Sequence, residues 1–151
     1  MEIQNLFDLL SKLGDSLNRL LGLVKEKQRA LVGNDRVALE KCIKSEEQIL
    51  VMIQGVEEER LKMIHSINAE LGGKNRVTKI SSIAEMLKGK IAPEKLKQLT
   101  ATEKKIKSDI AEIMSLNKQN LFLIQHSRSF ISETINTLLS SRKRSILDRK
   151  V

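Results

Sequence analysis

The chain has 151 residues, enough for one domain with a sizeable core, and it is 40% apolar but only 2% aromatic, with no Trp, no Tyr and three Phe. One Pro and seven Gly leave few places to turn, which disfavours many-stranded folds and points to a few long helices cored by Leu, Ile, Val and Met. The formal net charge of +8 is uneven, with −2 on residues 1–71, +7 on 74–107 and +3 on 108–151; this fits a solvated lysine-rich face, and also an acidic protein, nucleic acid or an anionic membrane as partner.

In the first element, Ile3, Leu6, Leu10, Leu13, Leu17, Leu20 and Val24 recur at alternating steps of three and four and make one helical stripe that reaches Leu31. Gly33-Asn34-Asp35 then offers a residue tolerant of the left-handed conformation and two candidate N-caps, so the spacing predicts helices over 3–32 and 35–71 joined by a short antiparallel turn. The second stripe runs through Leu39, Cys42, Ile49, Ile53, Val56, Met63, Ile67 and Leu71 and stops at Gly72-Gly73. Glu46 and Arg60 interrupt it, and a charge in such a seam either snorkels, finds a partner or marks where packing opens.

Lys74-Asn75-Arg76-Val77 reads as loop, followed by a short helix over 78–88 that Thr78 or Ser82 can cap, with Ile80, Ile83 and Leu87 on one side. Gly89 ends it, and Pro93 suits the first position of a last helix expected over 93–141, with a basic tail over 142–151. In that helix Leu96, Leu99, Ile106, Ile110, Ile113, Ile124, Ile131 and Leu138 continue the heptad. Asn117 and Asn120, three apart, are set into this face, where an asparagine either fixes the register of packed helices or helps to select a partner. The whole is expected to be an all-α, elongated, antiparallel up-and-down bundle of three long helices plus one short one, forming a single domain.

Signals for catalysis are weak. His65 and His126 lack the Glu-x-x-His spacing of carboxylate-bridged metal bundles, Gly72-Gly73-Lys74 lacks the rest of a phosphate loop, and Glu57-Glu58-Glu59 reads as a solvated face. We expect no enzyme, no cofactor and no metal. Cys42 is the only cysteine and lies in the seam, which disfavours an oxidised, exported scaffold. With no signal-like N-terminus and no window of membrane-spanning length, a cytoplasmic location is expected. The basic segment 142–150 has no interleaved aromatics, so specific nucleic-acid readout is not expected.

Order and spacing of several passages resemble the FlgN family of flagellar export chaperones. Glu26, Ala30, Leu31, Asp35 and Leu39 are similar to one family passage, and Ile49-Leu50 with Glu59-Arg60 to another. The strongest runs from Leu116 and Asn117 through Asn120, Leu123, Ile124 and Ser127 to Phe130 and Ile131. The resemblance implies a chaperone of type III export whose last helix grips the C-terminal helical tails of hook-filament junction proteins, prevents their premature assembly and delivers them to the export machinery. Asn117, Asn120, Leu121, Ile124, Phe130, Ile131 and Ile135 are the client-binding residues it implies. Family members can use a C-terminal tyrosine on the cytoplasmic domain of the export gate; this chain has none, which leaves Phe122 and Phe130 as the aromatic candidates. The alternative from the residues alone is a coiled-coil adaptor or oligomerisation protein without chaperone activity.

Overall fold

Turn chemistry sets where the helices end. Helix α1 (Ile3–Val32) closes with Asn34 in the left-handed region at φ 52°, and the Asp35 and Asn34 amides donate to the carbonyls of Ala30 (2.9 Å) and Leu31 (3.3 Å). That pattern satisfies carbonyls the helix end would leave bare. Gly33 was the expected left-handed residue; Asn34 takes the position instead, as its short polar side chain permits. Asp35 then caps α2 (Arg36–Glu70), its carboxylate accepting from the Ala38 amide at 3.1 Å. At the far end Gly72 adopts φ 76° and the Gly73 amide donates to the Asn68 carbonyl at 2.9 Å, so the Gly-Gly pair stops α2 as expected.

The computed structural model describes residues 3–73 and 80–150, with side chains described for 3–73, 83–126 and Leu139. The expected loop at 74–77 and the Thr78 and Ser82 caps lie outside these limits. Helix α3 (Ile80–Leu87) ends before Gly89 at φ 81°. Helix α4 begins with Pro93 in the first turn, where its missing N–H costs nothing, beside Glu94. It runs to Lys150 rather than ending near 141, because nothing after Pro93 breaks it and the segment expected as a basic tail places cations at a helix C-terminus. Its 58 residues make a rod of about 87 Å.

Helix α1 is the spine. Its residues Leu6, Leu10, Leu13, Leu17, Leu20 and Val24 are buried in one continuous core with Ile49, Ile64 and Ile67 of α2, Ile83 and Leu87 of α3, and Leu99, Ile106 and Ile113 of α4. Lys27–Glu46 and Ser16–Met52 pair residues in opposite order along the chain, so α1 and α2 are antiparallel. Lys25–Glu112 and Gln28–Gln119 advance together, so α1 and α4 are parallel. The expected up-and-down all-α bundle is what the chain forms, with one feature the periodicity does not contain. Among the described residues no Cα of α2 comes within 8 Å of a Cα of α4, although both pack on α1. At the base, meaning the end holding the α1 N-terminus, α3 contacts both. It fills the cleft between them with Ile83 and Leu87, both fully buried.

Candidate functional site

Above α3 the cleft between α2 and α4 stays open. A section of about 350 Å³ is floored by Leu20 and Lys27 of α1, with Glu46 and Leu50 on the α2 side and Ile113, Asn117, Asn120, Leu121 and Ile124 on the α4 side. Four of the expected client-binding residues therefore meet in one place. Phe130, Ile131 and Ile135 are within α4, and their side chains lie outside the described ones.

The walls are more apolar than a solvated surface requires. Leu50 is 50% exposed, Met114 67% and Leu121 55%, and Ile43 and Ile110 are exposed beside them. On α4 the steps Ile110, Met114, Asn117, Leu121 alternate four, three and four, which forms a second stripe next to the buried one. The expectation that Ile110 belongs with Ile106 and Ile113 in the buried face is thus corrected. Residues 113 and 110 are offset by about 60° around the helix, and α1 covers only the first of them. The α2 side matches, since Ile43, Glu46 and Leu50 recur at three and four.

Asn117 and Asn120 part company for the same geometric reason. Asn120 is buried against α1 and donates from Nδ2 to the Val24 carbonyl at 3.2 Å. Asn117 stands on the rim, its Oδ1 accepting from Lys27 Nζ at 3.4 Å. The same ammonium lies 3.0 Å from Glu46 Oε2, both side chains being mostly buried, so Lys27 links α2 to α4 across the floor. This answers what Glu46 does in the α2 stripe, while Arg60 lower down pairs with Glu57. Sequence reasoning missed Lys27 as a groove residue, because a lysine on an exposed helix gives no signal of the two partners it bridges.

Toward the tip, where α1 turns into α2, Cys42 is buried and its thiol donates to Glu26 Oε2 at 4.0 Å. Burial pushes that thiol up, and the Glu26 and Glu46 carboxylates push the same way against the opposing effect of Lys27. Phe122 projects from the side of α4 opposite Ile113, since nine residues make two and a half turns, and it stacks on His126 at 6.0 Å. It borders a wider hollow of about 780 Å³ formed with Val32 and Leu123. Val32 ends α1 at the level of Phe122 and Leu123, so residues 124–150 of α4 continue past the last turn of α1 by roughly 40 Å.

No group of three or more His, Cys, Asp or Glu could hold a metal among the described residues, and none of their helices is long and apolar enough to cross a membrane. No curated protein and no solved structure matches the chain. A family model described as FlgN protein matches residues 1–147, nearly the whole sequence. The helical bundle and that match agree: the chain belongs to the FlgN family, whose members are flagellar export chaperones.

Proposed function

We propose that this chaperone takes the C-terminal helical tails of hook-filament junction proteins into the open α2–α4 cleft, keeps them from assembling early and hands them to the type III export apparatus in the cytoplasm. The observation that carries the reading is the behaviour of α3. A helix placed between α2 and α4 buries Ile83 and Leu87 completely at the base, and above it the same two walls present an unfilled apolar stripe. A client helix that continues the line of α3 would complete a four-helix arrangement and remove Leu50, Met114 and Leu121 from water, the usual driving force of helix-in-groove recognition. Ile124 borders the upper end of that section, and Phe130, Ile131 and Ile135 fall on the stretch of α4 that continues past α1.

A tail that folds only on docking loses conformational entropy, which moderates affinity and suits cargo that must be released. Phe122, about 100° around α4 from Leu121, lies beside the cleft rather than in it and is our candidate, with Phe130, for the contact with the cytoplasmic domain of the export gate. The test is binding of a junction-protein C-terminal peptide to the full chain by calorimetry, with Leu121→Asp and Phe122→Ala beside it. The reading expects Leu121→Asp to weaken binding about 30-fold or more and Phe122→Ala to preserve it while lowering export in cells. Equal binding by all three chains would refute the groove.

A further inference from the structure

Two hydrogen-bond acceptors in the cleft have nothing to accept from. Asn120 is 1% exposed and its nitrogen is committed to the Val24 carbonyl, which leaves Oδ1 without a partner. Glu46 gives Oε2 to Lys27 at 3.0 Å, and its Oε1 is buried without a partner as well. Both residues line the same section of cleft. Buried acceptors in this state favour an occupant that supplies donors over a wholly apolar one, which returns no hydrogen bond.

Resting on the groove reading above, we propose that this pair selects a primary carboxamide, a Gln or Asn side chain, within the apolar stripe of the docked helix. The chemistry of the site narrows the choice. Two acceptors call for a group with two N–H donors, which a hydroxyl does not have. A Lys or Arg would bring a second cation beside Lys27, whose charge already balances that of Glu46 at 3.0 Å. A carboxamide brings two donors and no charge, and its own oxygen has a donor waiting. Lys27 Nζ carries three N–H groups and uses two of them, on Glu46 and Asn117. One polar residue in an otherwise uniform stripe also fixes the register of the docked helix, as a seam asparagine does in coiled coils.

The experiment uses four synthetic helices of about 24 residues, long enough to span the open cleft. They share one leucine stripe and differ only at a single central stripe position, which is Gln, Leu, Arg or Glu. Each is titrated calorimetrically into the full chain and into its Asn120→Leu and Leu121→Asp variants, with helicity of each variant checked by circular dichroism. We expect the Gln helix to bind the unaltered chain about tenfold more tightly than the Leu, Arg or Glu helix, and the Asn120→Leu chain to reverse the order so that Leu leads. If the Leu or Arg helix binds the unaltered chain as well as the Gln helix, the carboxamide inference falls while the groove stands. If no helix binds, or if Leu121→Asp binds all four undiminished, the groove reading falls and takes this inference with it.

Discussion

The base and the tip of the bundle are built from the same three long helices and behave as opposites. At the base α3 closes the space between α2 and α4, and Leu6, Leu10, Ile64, Ile67, Ile83, Leu87 and Leu99 are buried to within 1% of complete enclosure. Toward the tip the same space is open, and the groups nearest α1 become polar: Asn120 on the Val24 carbonyl, Lys27 between Glu46 and Asn117, and Gln28 Nε2 donating to Gln119 Oε1 at 3.0 Å. A closed apolar core holds the fold, and above it a half-open polar and apolar cleft remains. Dry packing stabilises without discriminating, whereas buried polar groups discriminate at a cost in stability.

The contrast is broken most strongly at the base. Leu87→Ala should destabilise the chain by about 2–5 kcal/mol in urea unfolding, since the cavity forms where no solvent reaches. Near the tip, Leu121→Asp should leave stability within about 0.5 kcal/mol and lower client affinity about 30-fold or more, as a charge enters the middle of the docking stripe. Asn120→Leu should leave the free chain as stable or raise it by up to about 1 kcal/mol, because it removes a buried acceptor that has no partner. A register-fixing asparagine would respond in the same direction, so the comparison is sharpened by client affinity: only a residue that meets the docked helix changes it when replaced.

Smaller effects lie in the ionisable groups. The raised Cys42 thiol favours its neutral form in the folded state. Its contribution is complete below the ordinary thiol range and is lost as pH rises through the raised value. Alkylation at pH 8 should therefore be slower than for a free thiol, and alkaline destabilisation should be milder in Cys42→Ala. Lys25→Met, which removes the half-exposed pair with Glu112 at 3.4 Å, should change stability by less than about 1 kcal/mol.

Much of the fold was written in local signals. The Gly33-Asn34-Asp35 turn, the stop at Gly72, Pro93 as a helix start and the two hairpin stripes each rest on chemistry within a few residues. The polar seam was also legible, because asparagines in an apolar run are conspicuous. What could not be read was which neighbour each stripe would meet. A three-and-four pattern on α4 is equally consistent with a face centred on Ile113 or on Ile110, and only the placement of α1 decides that the second is left bare. Glu103 and Asp109 are buried beside that face, paired with Lys107 at 2.8 Å and Lys105 at 3.1 Å. The four-residue spacing of each pair was visible, but it is the ordinary signature of an exposed helix surface. The role of α3 as a plug between α2 and α4, whose described backbones stay apart, is a property of the third dimension alone.

Methyl NMR on the full chain, titrated with the C-terminal helix of a hook-filament junction protein, addresses the central claim most directly. The account predicts that the methyls of Ile43, Leu50, Ile110, Met114 and Leu121 shift together and saturate at one equivalent, while Val37 and Val51, exposed elsewhere on α2, stay where they are. Saturating binding that moves Val51 or only residues beyond Ile124, and leaves Leu50 and Leu121 untouched, would show that the open cleft is not where the client lies.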